Sequence, residues 1–149
     1  MKHLRIISFI LLFILLLTGC ASGTTEKAEK SGKLKMNVRI GRKKYTATLY
    51  DTKAAKKFYK KLPEKYEMLE LNGNEKYKYL KFKLPKKERK VRRIKKGDIM
   101  LYGNDCLVIF YKSFKTSYKY TRIGRLDKTG GLAKAAGKGG VKVRFSKRK

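Results

Sequence analysis

The segment GDIMLYGNDCLVIFYKSFKTSYKYTRIGRL, residues 97–126, decides how the rest of the chain must fold. Residues 99–102 and 106–111 are uncharged apolar runs separated by Gly103-Asn104-Asp105. Gly, Asn and Asp tolerate positive φ, so these three residues read as the turn of a β-hairpin. The second run, Cys106-Leu107-Val108-Ile109-Phe110-Tyr111, does not alternate with polar residues, which predicts a strand covered on both faces. In a chain with 41 Lys+Arg, such a strand belongs at the centre of the fold.

Working outward, Leu34, Met36, Val38 and Ile40 alternate with Lys35, Asn37 and Arg39, as a half-buried strand requires. Residues 41–44 read as a turn and 45–50 as a second strand. Asp51 or Thr52 can cap a helix through Leu62, with Ala54, Phe58 and Leu62 on its inner face and Pro63 as its stop. Residues 66–71 read as a strand, Asn72-Gly73-Asn74 as a turn, and 76–84 as a weakly alternating strand ending at Pro85. Beyond the hairpin, 112–118 reads as a polar-aromatic loop. Residues 119–126 form a strand in which Gly124 marks a bulge or a close approach. Residues 132–136 predict a short helix ended by Gly137, and 141–146 the last strand. The sum, about eight strands and two short helices, is a mainly β chain folded as a closed barrel or a sandwich.

The front of the chain is an address. Lys2 and Arg5 precede an apolar run, 6–17, broken only by Ser8, and Leu17-Thr18-Gly19-Cys20 follows directly. At 1.5 Å per helical residue this run is too short to span a hydrocarbon core about 30 Å thick, so it reads as the apolar part of a signal peptide. The ending resembles a bacterial lipobox, which marks Cys20 for lipid attachment and the chain for the extracytoplasmic face of the cell membrane. The expected division is a signal peptide over 1–19, a flexible tether over 20–33, the folded domain over 34–146 and a basic tail over 147–149.

The formal net charge is +30; residues 1–19 carry Lys2, Arg5 and no acid, so their removal leaves +28. Charge of that size favours anionic partners such as acidic lipid headgroups, polyphosphate-type polymers or nucleic acid. An exported protein meets little nucleic acid, so nucleic acid is not an expected partner. The one histidine, His3, lies in the leader, which removes histidine-based triads and zinc sites from the mature chain. Cys106 is the single cysteine left once Cys20 is lipidated; on an apolar strand it reads as a buried, inert thiol. Glu67 and Glu70 fall on opposite faces of a strand, which disfavours a hydrolytic pair. Residues 137–140 lack phosphate-loop spacing and read as a turn. No metal and no cofactor is expected.

LNGNEKY (71–77), together with GDIMLYGNDCLVIFYKSF and SYKYTRIGRLD within 97–127, resembles the small bacterial cyclophilin-like domains, over roughly residues 36–145. The resemblance implies a closed eight-stranded antiparallel barrel with short helices at its ends. Cyclophilins that act as isomerases speed rotation about X-Pro bonds, whose barrier is near 20 kcal/mol, with an apolar groove and an arginine aimed at the prolyl nitrogen. Their arginine lies in a Phe-His-Arg-type stretch; residues 66–84 here contain neither Arg nor His. The resemblance leaves Arg122 and Arg125 as the arginines nearest a groove, lined in addition by Tyr102, Phe110, Phe114 and Tyr120. The expected function is a lipid-anchored binding module for a peptide or small ligand without efficient catalysis. Its rivals are a weak prolyl isomerase using Arg122 or Arg125, and an electrostatic adaptor on anionic lipid or cell-wall polymer.

Overall fold

The computed structural model describes residues 31–149, so the leader, Cys20 and most of the expected tether lie outside the described residues. In chain order the elements are β1 (Ser31–Ile40), β2 (Lys43–Tyr50), α1 (Lys53–Lys61), β3 (Glu64–Leu71), β4 (Glu75–Tyr79), β5 (Arg89–Lys90) and β6 (Arg93–Ile94). Then follow β7 (Asp98–Tyr102), β8 (Cys106–Phe110), β9 (Phe114–Lys115), β10 (Lys119–Leu126), α2 (Leu132–Ala136) and β11 (Val141–Lys147). Eight of the strands form an antiparallel ring in the order β2-β1-β11-β3-β4-β8-β7-β10, and β10 returns to β2 through Gly124↔Leu49, Arg125↔Thr48 and Leu126↔Ala47. The barrel is closed, as expected, and closure removes the exposed sheet edges.

The hairpin β7–β8 is the centre. Tyr102 pairs with Cys106 across the turn, and Gly103 there takes φ 61. Every residue of β8 is buried, for two separate reasons. Leu107 and Ile109 face the barrel lumen with Met36, Val38, Phe58 and Phe145. Cys106, Val108 and Phe110 face outward into a second apolar cluster with Val91, Ile94 and Tyr120. That second cluster is roofed by a flap built from stretches that show little periodicity in sequence. The strand expected over 76–84 stops at Tyr79. Leu80 and Leu84 then donate backbone N–H bonds of 2.7 Å to Asp105 and Asn104, strapping the chain across the hairpin turn. The expected loop 112–118 contains β9, paired with β6 as Arg93↔Lys115 and Ile94↔Phe114. The basic cluster 86–93, expected between strands, supplies β5, which pairs with β10 as Lys119↔Lys90 and Tyr120↔Arg89. Two-residue strands are too short to reveal a period.

The barrel ends are closed by the helices. The Thr52 hydroxyl caps α1 by accepting the Ala55 N–H at 3.1 Å, and it donates to the Arg122 carbonyl at 3.2 Å, tying the helix to β10. Phe58, fully buried on that helix, meets Phe145 edge-on at 5.4 Å between ring centroids. Burial of a side chain that size stabilises the fold by about 2–3 kcal/mol. Leu132 and Ala136 of α2 enter the same core, and Gly137 ends that helix at φ 66. Gly124 is both things its sequence position suggested. The β7–β10 register slips between Arg122 and Gly124, and a Cβ on Gly124 would sit 2.8 Å from the Thr48 carbonyl oxygen. At the front, β1 begins at Ser31 rather than Leu34, with Ser31 opposite Tyr50.

Candidate functional site

The outward-facing residues of β4, β8, β7 and β10 are the floor of a groove, because the flap roofs only part of them. Tyr77 and Tyr79 come from β4, Tyr102 from the end of β7 and Tyr120 from β10, while Phe114 and Tyr118 come from the flap. They enclose about 580 Å³ with Glu75 and Cys106. Tyr79 and Tyr118 are 62% and 61% exposed, so their rings form a rim that solvent reaches. The rings hold one another: Tyr77 meets Tyr79 at 6.0 Å and Tyr102 meets Tyr118 at 6.1 Å, both edge-to-face. Aromatic surface left open beside a cavity is where flat apolar groups of a ligand gain most from leaving water.

Glu75 is the acidic group lining this groove, beside Asn74, whose buried side-chain oxygen has no hydrogen-bond partner among the described residues. Glu75 begins β4 directly after the tight turn Asn72 (φ 54)–Gly73 (φ 66) and stands in register with Phe110. It is 8% exposed, and among the described residues no hydrogen bond or ion pair engages its carboxyl. Burial, reinforced by the negative charge of Glu70, pushes its pKa up to about 7. A carboxyl so placed changes between donor and acceptor near neutral pH. Cys106 is displaced the same way, to about 11, by burial first and by Asp105 and Glu75 second. Its thiol therefore stays protonated, the inert state its sequence context suggested.

The neighbour of Glu75 turns to the opposite face, where a lysine is unexpectedly buried. Lys76, 1% exposed, donates to Glu70 and to the carbonyls of Gly137, at 3.0 Å, and Gly139. The Tyr111 hydroxyl donates to both Glu70 oxygens at 2.9 Å. Burial opposes ionisation of Glu70, but the bonds from Lys76 and Tyr111 outweigh it and lower its pKa. This network clamps the β3–β4 hairpin to the segment after α2 and so holds the strand that carries Glu75.

Of the residues expected to line a groove, Tyr102, Phe114 and Tyr120 do so together. Phe110 lies beneath the floor, wholly buried, supporting Phe114 at 5.7 Å and Tyr120 at 5.5 Å. The two arginines are not among the groove's lining residues. The Arg122 guanidinium lies 5.7 Å from the centre of the Tyr50 ring, and Arg125 approaches the buried Asp98 at 3.6 Å. Burial raises the Asp98 pKa against the opposing pull of the Lys95 N–H and Arg125. Sequence reasoning missed Glu75, Tyr77, Tyr79 and Tyr118. The first three stand in a strand whose polar-aromatic alternation was visible, yet nothing local indicated which face the flap would cover. Among the described residues no cluster of three or more His, Cys, Asp or Glu could hold a metal ion.

A family model described as the cyclophilin-like family matches residues 38–146. No curated protein matches the chain. Among solved structures, a hypothetical protein from Archaeoglobus fulgidus, determined in solution, is similar with a TM-score of 0.59 at 16% identity, covering 83% of this chain and 99% of the other. At that identity the likeness speaks for the fold.

Proposed function

The chain belongs to the cyclophilin-like family, and we propose that it serves as a binding module rather than an efficient catalyst, taking a peptide segment or small organic ligand into the tyrosine groove. In this reading the protein is exported and held at the extracytoplasmic face of the cell membrane by lipid on Cys20, as its lipobox-like leader suggests. The supporting observation is the groove itself, an open cavity of about 580 Å³ with exposed tyrosine rims over one buried carboxyl. Aromatic walls bind a ligand by area, and the polar groups among them, Glu75 and Asn74 on the floor side and Thr116 and Ser117 on the flap, orient it by hydrogen bonds.

The test is ligand-observed NMR with the full-length protein in non-ionic detergent, screened against peptide and small-molecule fragments. Ligands should lose binding to the Tyr118→Ala variant and keep it with Arg122→Gln. The opposite pattern would move the site to the arginine and refute the groove. In a proline tetrapeptide isomerisation assay no acceleration is expected. Turnover abolished by joint Arg122→Ala and Arg125→Ala substitution would establish the isomerase alternative.

A further inference from the structure

The ring of eight strands has two outer walls, and the groove uses only one of them. The other, formed by β2, β1, β11 and β3, carries a row of cations in strict register: Arg39 stands opposite Lys44 on one side and Arg144 on the other, and Arg144 stands opposite Lys65. All four are exposed, and among the described residues none of them forms an ion pair. Like charges directly opposed across strands are destabilising. Elsewhere on this wall charge is offset: Lys35 binds Asp127 at 2.9 Å, and Lys142 faces Glu67 in register. The row is therefore a local departure from compensation that the same sheet practises on either side.

Beside the row runs a second one of neutral donors, Thr46, Asn37 and Ser146, again in register across β2, β1 and β11. Three of the four cations, Arg39, Lys44 and Arg144, line a hollow of about 820 Å³ together with the neutral row, and Lys128 and Arg148 add charge to it. Lys65 continues the row on β3 outside the hollow. The hollow's one acid, Asp127, already accepts from Lys35 and Thr48. With strands about 4.8 Å apart, the four cations make a line about 14 Å long.

We propose that this wall is a binding site for a linear, phosphate-linked polyanion lying across the four strands. Each phosphate brings a charge for the guanidinium or ammonium row and further oxygens for the neutral donors beside it, and Arg presents a planar fork that matches them. A hollow favours a flexible chain over a flat bilayer, which would rest on its rim. This site is separate from the tyrosine groove and does not depend on it.

The experiment compares three forms of the full-length protein: unaltered, Arg39→Thr with Arg144→Thr, and Lys57→Gln with Lys60→Gln on the exposed face of α1. Each is titrated with long-chain inorganic polyphosphate, with poly(glycerol phosphate) and with anionic phospholipid vesicles, and its melting temperature is measured. The row variant should bind one or both polymers roughly 30-fold more weakly, about fivefold for each cation removed. The helix variant should change by less than threefold, and the two polymers between them identify the source of the phosphate. Because like-charge opposition is relieved, the row variant should melt no lower than the unaltered protein. An equal loss in the helix variant would mean that the charge acts as a whole. A loss confined to vesicles would make the partner a bilayer. A lower melting temperature in the row variant would remove the strain argument. Each of these results overturns the proposal.

Discussion

Replacing Glu75 by Gln puts the account of the groove floor at risk most directly. Gln has the shape of the protonated carboxyl and cannot ionise. In the folded protein Glu75 titrates at about 7, against an ordinary 4.5. Between those values the folded state holds a proton that the unfolded chain releases, so the residue's contribution to stability is fully present below pH 4.5 and declines as pH rises to about 7. A difference of that size corresponds to about 3 kcal/mol at most, from roughly 1.4 kcal/mol per pKa unit. Opening of the groove to water lowers the expected value to about 1–3 kcal/mol. The assay is urea unfolding of both forms at pH 4 and pH 8. Working with their difference cancels the opposite trend of Glu70 and Asp127, whose lowered pKa values make stability fall as pH falls. The two forms should unfold together at pH 4, and Glu75→Gln should be the more stable at pH 8. An equal gap at both pH values, or a less stable variant at pH 8, would show that the carboxyl is not held near neutrality by burial.

Gly124→Ala should destabilise the barrel by about 1–3 kcal/mol in the same assay, because the new methyl meets the Thr48 carbonyl at 2.8 Å and Leu49 at 3.1 Å; an unchanged midpoint would mean the β2–β10 seam yields easily. Thr52→Ala removes the α1 cap and the bond to the Arg122 carbonyl and should cost about 1–2 kcal/mol, whereas Thr52→Ser should restore most of it. The melting temperature should rise with added sodium chloride, since a net charge of +30 repels itself and salt screens that repulsion. A flat or falling trend in differential scanning calorimetry would contradict this.

Much of the barrel was legible because its signals are local. The alternation around Met36 and Val38, the Gly103-Asn104-Asp105 turn, the Thr52 cap and the Gly124 bulge each depend on neighbours a few residues away, and each is present. The unbroken apolar run of β8 correctly announced burial on both faces, although not what would lie on each. The rest is non-local. Whether Tyr79 lies on a rim, whether Glu75 sits under a roof, and whether Arg39 meets Arg144 depend on which strands become neighbours and in what register. A spread of lysines along a chain looks uniform in one dimension. Barrel closure sorts it into a buried clamp at Lys76 and an uncompensated row at Arg39, because strand pairing brings together residues that the sequence holds far apart.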